Sequence, residues 1–356
     1  MGEAWTGYRG AMKVVVLPLL LMACQGPGSS WGSRGRRDTN DGYLPPPIAG
    51  EDVAVTLVED PEAAWACADA ATACSADYLA FPGLAAAYAH PISAATLAAE
   101  LGAIEEGEVE VQSPEEVSDS TLASTLASAL NMDFLLEGLD ERALTITVAE
   151  DDGSEQRLLF TDPWVGTFQA RLLLPEGGPQ PWPGVLSLHG HGGSAEGVLD
   201  ELFGREYPAH GYALATLDFR VMGADPDEDE VVRALLRHGF TLEALRIYES
   251  LLVLKYLRWL PEVDAERLAV VGHSGGSVAW NLAIRGSPPI VAYVSDLTSS
   301  YYDPWKGWLL DDTIPALYPV HPALNELEGA GPPVLRVDYG YQHEFDEILT
   351  FLQDHL

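Results

Sequence analysis

The sequence predicts an α/β protein with a mostly parallel sheet and helices on both faces, preceded by a small helical N-terminal region. From about residue 143, short apolar runs typical of strands alternate with longer stretches typical of amphipathic helices. Residues 268–271 are uninterrupted Leu, Ala and Val, which suits a central strand buried on both faces. The stretch 143–356 is about 214 residues long, a length that one domain of this class commonly has.

The predicted strands and helices follow one another along this stretch. The predicted strands are 143–151, 167–175, 184–190, 212–219, 267–274, 289–296 and 332–340. The predicted helices are about 197–209, 228–260, 276–285 and 344–356. Strands that are separated by helices favour parallel pairing, because a parallel connection must carry the chain back to the other edge of the sheet.

Residues 1–24 are predicted to be a signal peptide. The apolar run 14–23 is shorter than the about 20 residues that a membrane-spanning helix needs, but it has the length of a signal-peptide core. Residues 21–24 (LMAC) resemble the cleavage box of bacterial lipoproteins, which implies that Cys24 becomes the lipidated first residue of the mature protein. We therefore expect a lipid anchor that holds the protein to the membrane at the cell envelope, with ordinary secretion as the alternative.

Two segments precede the predicted α/β domain. Residues 25–50 are rich in Gly, Ser and Pro and are predicted to be a flexible linker. Residues 51–142 are rich in Ala and acidic residues and are predicted to be a helical accessory region. Cys67 and Cys74 lie in this region. A straight helix would separate their Cα atoms by about 10 Å, so a disulfide between them requires a break in the helix.

The chain is strongly acidic, with 19 Lys and Arg against 54 Asp and Glu and a formal net charge of −35. Nucleic-acid phosphates are bound mainly by Lys and Arg, so this charge argues against a nucleic-acid partner. The hydrophobic fraction of 47% argues against a disordered chain. The sequence contains no glycine-rich dinucleotide motif, P-loop or haem motif, and we expect no cofactor.

The strongest functional signal is residues 272–276 (GHSGG). They match G-x-S-x-G, and a predicted strand enters the motif while a predicted helix leaves it. In such a sharp turn, glycines two residues before and after the serine remove Cβ atoms that would collide. The turn presents the hydroxyl of Ser274 as a nucleophile. The N–H of Gly275, at the start of the helix, is placed to donate to an oxyanion.

A second signal, residues 189–193 (HGHGG), ends a predicted strand and opens a loop before a predicted helix. Such a loop can supply further oxyanion donors; the preferred candidate is the backbone N–H of His191, and that of Gly192 is an additional one. The alternative is a zinc site, because His189 and His191 form an H-x-H pair. The metallo-β-lactamase pattern continues with an Asp and a further His, which do not follow here, and we expect no metal.

Together these motifs resemble the α/β-hydrolase superfamily. The stretch 218–223 (DFRVMG), the helical region leading into 254–276 and a late histidine are similar to the dienelactone-hydrolase and acetyl-xylan-esterase branch. The resemblance covers about residues 160–356 and implies a Ser–His–acid hydrolase that works through an acyl-enzyme, with the order serine, acid, histidine. It also implies that His343, between the last predicted strand and the terminal helix, is the base, with His321 as the alternative.

The acid departs from the family pattern, because no strand and loop pair is visible between residues 297 and 332 to carry it. Asp296 ends a predicted strand, one strand beyond the nucleophile, and is the preferred candidate. Asp338 is the second candidate, although only four residues separate it from the expected base. The remaining candidates are Asp303, Asp311 and Asp312.

Aromatic residues are concentrated in 297–330 and include Tyr301 and Trp305. They are expected either to form a cap with walls suited to an acyl chain or a sugar ring, or to pack as an ordinary long loop. With an α/β-hydrolase domain at 143–356, the sequence predicts a serine esterase acting on a small-molecule or carbohydrate ester. The alternatives are a non-catalytic lipoprotein that uses the fold as a binding module, and a metal-dependent hydrolase that uses the H-x-H pair.

Overall fold

The computed structural model describes residues 55–58, 94–113, 117, 119–130, 132–136, 139, 144–151, 153–220, 222, 235, 240–283, 290–297, 314–320, 322, 332–338 and 344–356. The strands in these ranges are β1 (Val55–Val58), β2 (Leu144–Asp151), β3 (Glu155–Asp162), β4 (Gly166–Leu173), β5 (Trp182–Leu188), β6 (Ala213–Leu217), β7 (Val263–Gly272), β8 (Ala292–Ser295) and β9 (Val334–Arg336). The α-helices are α1 (Ala94–Glu105), α2 (Asp119–Leu130), α3 (Asp133–Leu136), α4 (Ala195–Glu201), α5 (Leu242–Trp259), α6 (Gly275–Ala283) and α7 (Phe345–His355). Among the described helices, none combines the length and apolar character needed to cross a bilayer.

The described strands form one mixed sheet with the order β1-β2-β3-β4-β6-β5-β7-β8-β9. β2, β3 and β4 form an antiparallel meander, and β4 runs antiparallel to β6. β5 to β9 run parallel to one another. The strand order reverses at β5, between β6 and β7, and ligands of open α/β sheets bind at the carboxyl ends of strands at such a point. The predicted fold class, a mostly parallel sheet of the α/β-hydrolase type, is confirmed.

Helices cover both faces of the parallel part of the sheet. On one face, Trp280 of α6 lies in the same apolar core as Val270 of β7. On the other face, Leu199 of α4 and Leu352 of α7 share a core with Val271. Successive side chains of a strand point to opposite faces, so an unbroken apolar run in β7 supplies both cores.

Two strands, β1 and β3, are not predicted from the sequence. β3 begins with the polar residues 155–157, and only its middle part 158–160 is apolar and buried, so its conformation comes from pairing with β2 and β4. β1 lies in the region predicted to be helical and pairs in parallel with β2. The single helix predicted over 197–209 is α4 followed by two 3₁₀ turns, Gly204–Glu206 and Pro208–His210, because Gly and Pro interrupt an α-helix.

The carboxyl ends of three parallel strands lie level with one another. Leu188 of β5 is paired with Gly272 of β7, and Gly272 is paired with Ser295 of β8. The residue that follows each of these positions therefore leaves the sheet at the same edge. This edge carries the candidate site.

The described part of the accessory region is attached to the rest of the fold. α1 and α2 pack against the 3₁₀ helix Pro315–Val320, which lies between β8 and β9 in the chain. The N–H of Gln112 donates to the carbonyl of Pro319 at 2.9 Å. The ammonium group of Lys255 on α5 donates to the carbonyl of Leu139. Packing of the helices, with Leu126 and Leu130 of α2 in the apolar core, and polar contacts from residues that follow α1 and α3 thus join this region to the sheet.

Candidate active site

Ser274 occupies the turn between β7 and α6 with a strained backbone. Its φ is +48°, in the left-handed region that residues other than glycine rarely adopt. A Cβ added to Gly272 would lie 2.8 Å from the Cα of Ser277, and one added to Gly276 would lie 2.7 Å from the carbonyl oxygen of His189. Space therefore requires both glycines, and the chain forms the strand–turn–helix that G-x-S-x-G indicates.

Ser274 lies partly exposed at the start of a helix, where the electrostatic potential favours negative charge. The residue is partly exposed and immediately precedes α6. The N–H of Gly275 is among the first four of the helix, which have no partner within it. These N–H groups and the helix dipole favour negative charge at this end. An oxyanion formed on a carbonyl attacked by Ser274 would be stabilised here.

The loop after β5 lies directly against Ser274. A Cβ added to Gly190 would lie 2.5 Å from the Cβ and 3.1 Å from the Oγ of Ser274, so only glycine permits this approach. The ring of His191 lies over Gly275, with Nδ1 at 2.8 Å from the position that a Cβ on Gly275 would take. The structure thus brings Ser274 together with the residues of the two preferred oxyanion donors.

The backbone N–H of Gly192, expected from the sequence as an additional oxyanion donor, has a partner within the protein. Its N–H donates to the carbonyl of Met222 at 2.6 Å and ties the loop to the segment after β6. The methyl group of Met222 also reaches 2.8 Å from the Cβ position at Gly275. The Gly192 N–H is therefore engaged within the protein in this arrangement, and His191 and Gly275 stay the predicted donors.

His189 is a buried residue with a structural role. Its Nε2 accepts a hydrogen bond from the N–H of Phe219 at 3.0 Å, so the ring proton is on Nδ1, which donates to the carbonyl of Gly190 at 2.8 Å. Burial lowers the pKa of His189, because an imidazolium would lose its hydration. Both ring nitrogens are thus used, and neither can serve an H-x-H zinc site in this arrangement. Within the described residues, no cluster of three metal-binding side chains is present.

Asp296 follows β8 and lies against the turn 273–277, called the nucleophile turn after the predicted role of Ser274. The residue is 2% exposed. Its Oδ1 accepts a hydrogen bond from the backbone N–H of Ser274 at 2.8 Å, and the Oγ of Ser277 lies 3.2 Å from the same oxygen. Its Oδ2 is hydrogen-bonded to Nδ1 of His273. The carboxylate is therefore joined to the backbone of Ser274 and to the side chains of His273 and Ser277.

Asp338, the second candidate for the acid, has a different environment. It is exposed, and its backbone N–H donates to Oε2 of Glu344 at 2.7 Å. The described contacts place Asp296, and not Asp338, beside Ser274.

Several predicted functional residues lie outside the described part of the chain. These are His343 and His321, Tyr301 and Trp305, Asp303, Asp311 and Asp312, and the cysteines Cys24, Cys67 and Cys74. The roles assigned to them from the sequence stay predictions.

The contact between His273 and Asp296 is not predicted from the sequence. The motif marks the position of His273 before the nucleophile, but the two residues are 23 positions apart, and their contact depends on the pairing of β7 with β8. The signal that was available is a histidine directly before the serine, combined with an acid at the end of the next strand.

No family model matches the chain. A relative, "Putative hydrolase YtaP" of Bacillus subtilis (strain 168), is 31% identical over 114 residues, which cover 28% of this chain and 38% of that protein. The chain therefore spans well under half the length of this relative.

Solved structures similar to this chain include an acetyl xylan esterase from Paenibacillus sp. R4, at 17% identity and a TM-score of 0.46, over 67% of this chain and 99% of that one. A dienelactone hydrolase-like promiscuous phosphotriesterase from metagenomic libraries is 20% identical with a TM-score of 0.33, over 41% of this chain and 62% of that one. Both branches named from the sequence are thus among the structural neighbours. The fold assignment itself rests on the strand order and the turn at Ser274.

Proposed function

We propose that the protein is a serine hydrolase that cleaves carboxylic esters through an acyl-enzyme. The observation that carries this proposal is the strained turn at Ser274, which holds this partly exposed serine beside the glycine loop and a buried carboxylate. The partial match to a protein named as a hydrolase supports the reaction class.

In the first half of the proposed reaction, the Oγ of Ser274 attacks the carbonyl carbon of the ester while His343 takes the hydroxyl proton. The backbone N–H groups of Gly275 and His191 donate to the oxyanion, and each such donor is worth about 3 kcal/mol of the barrier. The tetrahedral intermediate then collapses to the acyl-enzyme. The leaving alcohol departs with the proton that His343 returns.

In the second half, a water molecule attacks the acyl-enzyme and gives a proton to His343. Collapse releases the carboxylic acid, and Ser274 regains its proton. Asp296 orients the imidazole and stabilises its charged form. The expected substrate is a small-molecule or carbohydrate ester, with Tyr301 and Trp305 as the candidate contacts to it.

The test uses a labelled fluorophosphonate probe and p-nitrophenyl esters of graded acyl length. The matched control is Ser154→Ala, because Ser154 is an exposed serine in the turn between β2 and β3. We expect labelling and turnover for the wild type and the control, and neither for Ser274→Ala. His343→Ala is expected to lower kcat about 10³-fold or more while leaving folding unchanged.

Each alternative has its own result in this experiment. A folded wild type that neither reacts with the probe nor turns over any ester would indicate a non-catalytic binding module. Unchanged turnover by His343→Ala would move the base to His321. Turnover that a chelator abolishes would favour the metal-dependent alternative.

A further inference from the structure

We propose that His273 is a positioning residue, whose Nδ1–H fixes the carboxylate of Asp296 against the nucleophile turn. The proposal rests on the function proposed above, because it takes Asp296 as the acid that orients the base. His273 is assigned no contact with the substrate and acts only through Asp296.

The hydrogen bonds to Oδ1 of Asp296 come from the nucleophile turn. An ionised carboxylate only accepts hydrogen bonds, and its two oxygens offer about four lone-pair sites. Oδ1 accepts the backbone N–H of Ser274 at 2.8 Å and lies 3.2 Å from the hydroxyl of Ser277. The single proton of that hydroxyl is also directed at the carbonyl of Gly272, so its contact with Asp296 is the weaker one.

The hydrogen bond to Oδ2 comes from His273. Because a carboxylate cannot donate, this bond requires the proton on Nδ1 of the imidazole. The side chain of Asp296 is 0% exposed, so bulk water does not replace the donor. Because Oδ1 already has two contacts from the turn, we assign Oδ2 to the base, and the direction of Oδ2 depends on the bond from His273.

The backbone of His273 is held on both sides. Its N–H donates to the carbonyl of Leu188 in β5 at 2.9 Å, and its carbonyl accepts the N–H of Gly276 in α6 at 2.8 Å. The imidazole therefore extends from a rigid point, with two rotatable bonds between the backbone and the ring. Without its Nδ1–H, Asp296 is still held through Oδ1 by Ser274 and Ser277. Its Oδ2 loses the donor that fixes its direction, and the group that Asp296 orients loses its alignment with the hydroxyl.

The test compares His273→Asn with His273→Leu. The amide N–H of asparagine lies close to the position of the Nδ1–H, and leucine has similar branching without a donor. Because a hydrogen bond to a charged group contributes more free energy than one between neutral groups, its loss should have a large effect. We therefore expect His273→Leu to lower kcat about 10- to 100-fold with little change in KM. His273→Asn is expected to keep most of the wild-type kcat. Thermal unfolding of both variants checks that they are equally folded.

A double-mutant cycle separates positioning through Asp296 from an independent role. If His273 acts through Asp296, adding His273→Leu to Asp296→Asn lowers kcat by at most about twofold further. Independent roles would instead multiply the two single losses.

Three results would overturn the assignment. His273→Leu with wild-type kcat would show that the bond has no kinetic role. His273→Asn as slow as His273→Leu would show that the imidazole itself is needed, as for a general base. If the fold-losses in kcat of the two single variants multiply in the double variant, the two residues act separately. A wild type without labelling or turnover would refute the proposed function first, whereas an active wild type with an unaffected His273→Leu refutes only this assignment.

Discussion

Asp296 and Glu249 are both buried carboxylates, and their surroundings are opposite in kind. Both are at most 2% exposed. Asp296 is contacted on its two oxygens by a backbone N–H, a hydroxyl and an imidazole. Glu249 accepts two hydrogen bonds from Arg220 on Oε1, and within the described residues its Oε2 has no hydrogen-bond partner.

These contacts show what each carboxylate is connected to. The three groups named above that contact Asp296 belong to the nucleophile turn, residues 273–277. Arg220 bonds Glu249 of α5 and also donates to the carbonyl of Val165 at 2.7 Å, between β3 and β4. The first carboxylate therefore serves the geometry of one turn, and the second joins distant elements. Burial raises the pKa of Glu249 to about 7, because loss of hydration outweighs the attraction of Arg220.

The largest effect that we expect from this comparison is that of Asp296→Asn on turnover. The amide presents an NH₂ group to at least one of the present N–H donors, and it cannot stabilise an imidazolium. We expect kcat to fall about 10³- to 10⁴-fold. Asp338→Asn, at an exposed position, is the matched control and should stay within about twofold of the wild type. The kcat of both variants is measured on the same ester. A larger loss of kcat in Asp338→Asn than in Asp296→Asn would place the acid after β9.

The next effect in size is that of Arg220→Met on stability. The substitution leaves Glu249 buried without its cation, which typically costs about 3–5 kcal/mol of the free energy of unfolding. Arg205→Met is the matched control, because Arg205 is 45% exposed and two of its three described carboxylate partners, Glu196 and Asp200, lie at the surface, so its loss is about 1 kcal/mol or less. Urea unfolding measures the free energy of unfolding of both variants. If both variants lost the same free energy of unfolding, the buried pair would contribute no more to stability than the exposed one.

The smallest expected effect is a pH dependence of stability that depends on Glu249. Its folded-state pKa of about 7 lies above the ordinary value of 4.5, so between these values the folded protein holds a proton that the unfolded chain has lost. The contribution of Glu249 is thus fully present below about pH 4.5 and is lost as the pH rises through about 7. The loss amounts to about 3 kcal/mol.

The measurement is the free energy of unfolding across this pH range for wild type, Glu249→Gln and the exposed control Glu206→Gln. The difference between wild type and Glu249→Gln is expected to change with pH, because glutamine does not titrate. The control should follow the wild-type curve. A parallel course of wild type and Glu249→Gln would contradict the raised pKa.

The nucleophile turn could be predicted from the sequence because its cause is local. The glycines at 272 and 276 are needed for space within one turn, and Gly190 is needed where a second loop crosses it. Strand β3 could not be predicted, because its first three residues are polar and it is held by strands on both sides.

Contacts between distant residues could not be predicted in the same way. The bond from His273 to Asp296 depends on the register of two parallel strands, and the pairing of Arg220 with Glu249 spans 29 positions. Charged residues recur at 243, 246 and 249 of the otherwise largely apolar helix α5, which is a signal of buried charge but does not identify the partner. The base and the aromatic contacts lie outside the described residues, so their assignment still comes from the sequence alone.

The left-handed backbone at Ser274 places stability and activity in conflict at one position. A residue with a side chain in this region costs roughly 1–2 kcal/mol relative to an ordinary conformation, whereas glycine would be accommodated with little cost. Glycine has no hydroxyl, so the residue that would relax the fold is the one that would abolish the proposed chemistry. Substitutions chosen only to raise the melting temperature would therefore select against catalysis here, a trade-off common at functional sites.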